Sequence, residues 1–540
     1  MKKLILIATV LFSVTAMAQE DALVFFADKE DVAASIANPI TILTQEAIDR
    51  KAMHNTPIDE RDVPVNEDYI TQIKNQSGIT VHAKSKWLNA VYVRGSQSNI
   101  NALTNLSFVT EVEFADKGLN LSPFQPPTED KFIIENQESR ITYDYGAATN
   151  QTEMLAVDFL HEENLTGEGM IVAVMDSGFP NVLTNDAFAD VVSDGRLLGT
   201  YDFAERQTNV DGTGSHGART FSNIGAFLDG DENFVGTAPE ASFYLFRTEF
   251  GPSENPVEEA WWVEALERAD SLGVDVVNTS LGYQDYDNPS YDHSYEDLDG
   301  ETTIAARGGN IAFEKGMLLV TSAGNDGGGF TFVATPGDSK GILTIGAVDS
   351  NGNYASFSSI GPTVDGRIKP DVMAQGQDAA IVNQDGDVTF SSGTSFSSPI
   401  MAGAIACLWE YRPEVKNSTI MQLVRESAHL FNNPTDEMGY GIPNFEDAYN
   451  ALKTLGIEAQ LLKETFAIYP NPVTDVFNVS FPQQTERATV SLYNVLGKQV
   501  MVQQISAIQN KVDISALSGG VYIASITAEG VTNNFKILKK

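Results

Sequence analysis

Residues 391–409 read SSGTSFSSPIMAGAIACLW. From Pro399 onward the run is apolar on nearly every side, so a helix here has no face to offer to water and belongs inside a large core. Pro399 sits in its first turn, where a missing N–H is tolerated. Five serines crowd the start: Ser391, Ser392, Ser395, Ser397 and Ser398. Ser395, behind Gly393-Thr394, falls at the helix N-terminus, where the dipole and free N–H groups favour developing negative charge. Ser397 and Ser398 read as first-turn capping residues, and Ser391 and Ser392 as loop.

A helix buried on all sides needs a partner layer, and the preceding sequence supplies one. Between about 140 and 455, strand-like and helix-like runs alternate. MIVAVMD, ASFYLFR, VDVVNTSLG, MLLVTSAGN and ILTIGAV carry Val, Ile and Leu at both alternating positions, so both faces are buried. The fold expected for residues 141–456 is α/β, a parallel sheet with helices on both faces. In such sheets, sites form at the carboxyl ends of strands.

Three further segments flank this one. MKKLILIATVLFSVTAMA has two lysines, an apolar run from Leu4 to about Val14 and Ala16-Met17-Ala18. Residues 1–18 thus read as a secretory signal peptide cut after Ala18. That run is too short to span a membrane, and no other stretch of about 18 apolar residues occurs, so no transmembrane segment is expected. Residues 19–140 contain the strands ALVFFA, LNAVYVRG and VTEVEFA and the helices TILTQEAIDRKAM and EDYITQIKNQSG, a small α+β unit folded to about residue 116. Residues 461–540 hold short strands between turn signals and read as a small β-sandwich. Seven basic and five acidic residues give that segment +2 within a chain of net charge −39, and the shift in charge marks a boundary. So acidic a chain has no electrostatic footprint for nucleic acid or an anionic membrane surface. The single cysteine, Cys407, excludes an internal disulfide and reads as a small buried hydrophobe.

A serine hydroxyl attacks only when a base takes its proton. Six histidines are available: His54, His82, His161, His216, His293 and His429. His54 and His82 lie in the first unit, His161 precedes the sheet, His293 lies in an acidic, Tyr-rich loop, and His429 is placed mid-helix. His216 differs, because Gly212, Gly214 and Gly217 surround it and allow close backbone approach. Taken alone, a histidine at a helix start is more often a structural cap or surface residue. The base in turn needs an acid to hold its tautomer, and Asp176 ends the buried strand IVAVMD; alone, Asp176 reads as a helix N-cap. Asn325, after a strand and a glycine in TSAGND, can donate a side-chain N–H to an oxyanion; alone it is a turn residue.

Each residue is weak evidence alone, but the chain order Asp176, His216, Asn325, Ser395 is stronger, and its Asp, His, Ser order is that of subtilisin. With VAVMDSGF, GSHGART, VVNTSLG, TSAGND, FSSIGPTVDGRIKPDVMAQG and GTSFSSPIMAGA, residues 150–450 resemble the subtilisin-like serine proteases, the subtilases. The resemblance implies a secreted serine endopeptidase acting on protein or peptide substrates through an acyl-enzyme. Asp176 would orient His216, His216 would act as base and then acid, and Ser395 would attack. The Ser395 N–H and Asn325 would form the oxyanion hole, and Ser280, Leu281 and Gly282 would pair with the substrate backbone. One departure is SHGART, where many relatives carry a Thr-His-Val-Ala-Gly run. Residues 19–140 resemble, by element order and position, a propeptide that inhibits its own enzyme and aids folding. FAIYPNPVTDVFNVSF, LYNVLGKQV and DISALSGGVYIASI resemble the sorting domain of Bacteroidetes type IX secretion. They imply a partner in the secretion machinery and a secreted or cell-surface protein reached through the periplasm and outer membrane.

No cofactor is required by this chemistry. DGDENFVG around Asp229 has calcium-loop residue types but lacks the sixth-position glycine of an EF-hand. The loop YQDYDNPSYDHSYEDLDG reads as a solvated acidic loop, so structural calcium is left without named ligands. Two rival readings use the same fold: a catalytically inactive surface-binding protein, and a peptide ligase or cyclase. The first would be favoured by loss of Asp176, His216 or Ser395, and none is lost.

Overall fold

The computed structural model describes residues 19–120 and 143–540, apart from 213, 231, 328–329, 464–465, 482–486, 495–497 and 529–530. The signal segment and residues 121–142, between the first unit and the parallel-sheet segment, lie outside the described residues.

Seven strands form one parallel sheet in the order Val372–Gln375, Ile342–Val348, Leu318–Ser322, Val276–Thr279, Ile171–Asp176, Ser242–Arg247, Leu197–Asp202. The five strands read from the sequence are all present, and the inner ones are buried along their length. The two unread strands are the edges. Leu197–Asp202 is half exposed, and Val372–Gln375 is only four residues long, so neither carries a long apolar run. The chain leaves Ile171–Asp176 toward one edge and returns on its other side, so the switch point of the topology lies beside Asp176. Alternation along the strands sorts the two faces. Ala173, Met175, Val277 and Leu319 pack with Trp262, Val263 and Leu266 of helix Val257–Leu272 and with Ala305 and Ala312 of helix Ile304–Glu314. The apolar helix Thr394–Glu410 covers the other face together with helix His216–Gly225, and its Ile400, Ile405, Leu408 and Trp409 have no exposed surface. Burying each of these contributes roughly 1.5–3 kcal/mol.

The N-terminal unit is a four-stranded antiparallel sheet in the order Ile79–Ser85, Ala90–Ser96, Gln19–Phe26, Val109–Phe114. Ile79–Ser85 is a strand the sequence pattern did not reveal; a bulge between Val81 and Ala83 breaks its alternation. One face of this sheet packs with Ile70, Ile73, Ile100 and Leu103. On the other face, Leu23, Ala83 and Tyr92, with Trp87 from the turn that follows Ile79–Ser85, pack on the pair of helices Val257–Leu272 and Ile304–Glu314. The C-terminal residues, described by themselves, form a three-stranded and a four-stranded sheet around Phe477, Val479, Val490, Leu492, Ile526 and Ile537. Among the described residues, no helix is long and apolar enough to cross a membrane.

Three smaller expectations change. His429 lies beyond the end of helix Asn417–Glu426, in a turn, because that helix stops before it. Ser397 and Ser398 are not caps: Ser397 Oγ donates to Thr394 O (3.0 Å) and Ser398 Oγ to Asn278 Oδ1 (2.7 Å). The loop 283–300 is not simply solvated. Tyr283, Tyr286, Tyr291 and His293 are buried, and His293 Nε2 donates to the buried Glu259 (2.7 Å), so its aromatics supply a core that its acidic residues conceal in the sequence. Cys407 is buried as expected, and burial pushes its thiol well above the ordinary range.

Candidate active site

Asp176 is the last residue of its strand and has no exposed surface. Its carboxylate accepts from Ser177 N–H (2.7 Å), Thr220 Oγ1 (3.1 Å) and His216 Nδ1, the last at 2.8 and 3.0 Å to its two oxygens. These donors compensate for taking the charge out of water. His216 opens helix His216–Gly225, and Gly217 lets that helix lie directly on the strand end. A Cβ at Gly217 would come within 2.5 Å of Gly178 O and 2.9 Å of Asp176 Cβ. The departure seen in SHGART therefore keeps the glycine that this contact needs. Burial opposes a charge on His216, but the Asp176 carboxylate and its hydrogen bond outweigh it and hold the imidazole above its ordinary value of 6.5.

Ser395 is the second residue of helix Thr394–Glu410 and is 9% exposed. Its hydroxyl donates to Ser280 O (3.3 Å), while Ser280 Oγ donates to Ser395 O (2.9 Å). Asn278 Nδ2 donates to Ser280 Oγ (3.1 Å) and its Oδ1 accepts from Ser398, so strand end and helix start are stitched together. The helix start also meets the histidine, with the rings of His216 and Phe396 5.9 Å apart. Sequence reading missed Thr220, Asn278 and Ser398. Ser398 lies three residues after Ser395 on the same helix face, a spacing that could have flagged it.

Asn325 follows the strand Leu318–Ser322. Its Oδ1 accepts from Thr394 N–H (2.9 Å) and Thr394 Oγ1 (3.0 Å). A backbone N–H can only donate, so this pairing fixes the amide and turns Nδ2 outward beside Gly393. Leu281 and Gly282 lie beyond strand Val276–Thr279, part-exposed and exposed, before Tyr283 rejoins the fold by pairing with Thr335. The candidate residues Asp176, His216, Ser395, Asn325 and Ser280 thus come from three strand ends and two helix starts on one rim of the sheet. This rim can hold a proton on an oriented imidazole and offer donors to an anion. Among the described residues, no group of three or more His, Cys, Asp or Glu is placed to hold a metal ion.

A profile described as the subtilase family matches residues 167–441, just over half of the chain. A peptidase S8 propeptide domain of Bacteroidota matches residues 21–131, and a secretion system C-terminal sorting domain matches residues 467–540. The chain is 28% identical over 316 residues to serine protease AprX of Bacillus subtilis (strain 168), covering 53% of this chain and 67% of that protein. It is 25% identical over 400 residues to the thermophilic serine proteinase of Bacillus sp. (strain AK1), covering 73% and 89%. Among solved structures, the MycP3 protease from the type VII (ESX-3) secretion system is similar at 20% identity and a TM-score of 0.44, over 58% of this chain and 91% of that one.

Proposed function

Because this chain belongs to the subtilase family and is a serine-type endopeptidase, we propose that it hydrolyses peptide bonds through an Asp176–His216–Ser395 triad and an acyl-enzyme. The observation that carries this reading is the 2.8 Å bond from His216 Nδ1 to a fully buried Asp176, on the same rim as a serine at a helix N-terminus. With Nδ1 committed as donor, the neutral imidazole keeps its lone pair on Nε2. Rotation about χ1 takes Ser395 Oγ from Ser280 O toward that lone pair. His216 then accepts the hydroxyl proton as Oγ attacks the peptide carbonyl, and Asp176 stabilises the imidazolium. The proton passes to the leaving amine, and water repeats the cycle on the ester. Asn325 Nδ2 and the Ser395 N–H receive the oxyanion. The exposed backbone of Leu281 and Gly282, next to Ser280, offers an edge along which an extended substrate adds a strand. The domain division, residues 19–140 as propeptide, 141–456 as peptidase and 461–540 as sorting domain, belongs to the same reading. So do inhibition by the propeptide and export through periplasm and outer membrane.

A covalent serine probe tests the assignment. It labels the wild-type protein and fails on Ser395→Ala. Labelling that survives this change and disappears instead with Ser397→Ala or Ser398→Ala would overturn it. No labelling of a processed wild-type chain would favour the inactive binding protein, and amide products formed with an added amine acceptor would favour the ligase.

A further inference from the structure

The propeptide does not touch the peptidase domain only through its sheet. Between its first strand and helix Glu67–Lys74 the chain makes an excursion, residues 38–66, containing helix Gln45–Met53. Thr44 N–H donates to Ser271 O (2.9 Å). The excursion runs so close to Gly273 that a Cβ there would lie 2.8 Å from Ala47 N. Asp270, with no exposed surface, accepts from Arg50 (2.6 Å) and Lys51 (2.7 Å). Lys51 also meets Asp62 (3.2 Å), which pairs with Lys315 of the peptidase domain (2.7 Å), as does Asp59 (2.8 Å). Beyond this network His54 Nε2 donates to Pro413 O (2.7 Å), and its ring stacks on Trp409 at 5.5 Å.

The peptidase groups in these contacts share one location. Asp270 and Ser271 lie in the last turn of helix Val257–Leu272, Lys315 directly follows helix Ile304–Glu314, and Trp409 lies at the end of helix Thr394–Glu410. The first two helices run into the amino ends of parallel strands, and the third carries Ser395 in its first turn. All three helix ends therefore lie on the rim opposite the candidate active site. Along the third helix, 14 residues at 1.5 Å each separate Trp409 from Ser395 by about 21 Å.

We infer that residues 38–66 are a second anchor of the propeptide, bound to the base of the peptidase domain independently of the cleft. Cutting the chain at the junction leaves this anchor intact, so the propeptide stays on as a bivalent ligand. Activation then waits for the anchor to let go. The charges are arranged for such a clamp. With the propeptide in place, Lys51, Asp62, Asp270 and Lys315 are buried and paired; once it leaves, Asp270 and Lys315 are rehydrated at a surface. Loss of one partner in place strands a buried charge and loosens the clamp.

The inference rests on the endopeptidase reading, and the experiment separates the two. Lys51→Met and His54→Ala change only the propeptide, so the mature enzyme is identical to wild type. After self-processing, the wild-type propeptide is expected to co-elute with the peptidase domain on gel filtration, and activity to appear after a lag. Both variants are expected to lose co-elution and shorten the lag at least tenfold, with kcat/KM per probe-titrated site unchanged. A wild-type propeptide that does not co-elute, or the same lag in both variants, overturns the anchor. If Lys51→Met yields no folded protein, His54→Ala alone decides. A wild-type chain that hydrolyses no peptide defeats the endopeptidase reading instead. The anchor is then read by hydrogen exchange in uncut Ser395→Ala protein, where Lys51→Met must raise exchange at the C-terminal turns of helices Val257–Leu272 and Ile304–Glu314, and unchanged exchange there overturns it.

Discussion

Asn325 has two jobs in the proposed site, and two substitutions separate them. Its Nδ2 is the oxyanion donor, while its Oδ1 holds Thr394 N–H and Oγ1 at the start of the serine helix. Asn325→Leu removes both. For the donor, the corresponding change in the relative subtilisin gives the scale, about 10²–10³ in kcat. The structure adds a second effect. Thr394 has no exposed surface, and its N–H is left without an acceptor, which costs about 1–3 kcal/mol. Thr394 Oγ1 keeps Gly324 O at 3.2 Å, so little more is lost there. Asn325→Asp keeps the acceptor and replaces the donor by a carboxylate. Stability should stay near wild type, but a charge about 4 Å from the oxyanion adds up to about 4 kcal/mol to the barrier at an effective dielectric of 20. The two variants therefore rank in opposite orders: wild type ≈ Asp > Leu in stability, wild type > Leu > Asp in kcat. Peptide hydrolysis at saturating substrate gives kcat, and thermal unfolding in the Ser395→Ala background gives stability without self-digestion. KM should move little, because the charge develops only in the transition state. An Asp variant more active than Leu, or a rise in KM with kcat unchanged, would refute the donor role.

Three other outcomes are expected. Ser395→Ala should lower activity by several orders of magnitude and leave the propeptide attached, as mass spectrometry of the purified chain would reveal. His216 must be neutral to accept a proton and its pKa is raised, so kcat/KM should fall on acidification with a midpoint above 6.5. Asp176→Asn should move that limb to lower pH while reducing kcat by about 10⁴, and an unmoved limb would detach His216 from Asp176. A chain ending at residue 456 should still cleave peptides when made in a host without type IX secretion, and should stay in the periplasm of a host that has it. Normal export without residues 457–540 would remove the sorting role.

Legibility in the sequence followed burial. Strands buried on both faces, such as VVNT at 276–279 and LLVTS at 318–322, announce themselves through unbroken apolar composition. The edge strand Leu197–Asp202 is half exposed, so its composition follows solvent rather than core and it passes for loop. The candidate active site was readable because each group stands at a strand end or helix start beside a glycine, and glycines needed for close approach are visible as letters. Gly217 is the clearest case, since the approach of His216 to Asp176 depends on its missing side chain. The residues that hold those groups in place were not readable. Thr220 and Asn278 act by hydrogen bonds across segments 44 and 120 residues apart, and no local pattern distinguishes them from ordinary polar residues; only Ser398, one turn after Ser395, carries a spacing cue.

The charges between propeptide and peptidase domain illustrate the same limit. Lys51 and Asp270 lie 219 residues apart, one in helix Gln45–Met53 and the other in helix Val257–Leu272, and neither helix's sequence points to the other. Only the fold turns them into a buried pair, and their value depends on which state of the chain is considered. In the uncut chain they hold two domains in register, whereas in a mature enzyme Asp270 would be an ordinary surface acid. Residues whose environment changes during maturation answer to both states, and so carry neither a core nor a surface signature. The candidate catalytic groups stay on one rim of the sheet in both states, which is why their pattern survives in the sequence and the clamp's does not.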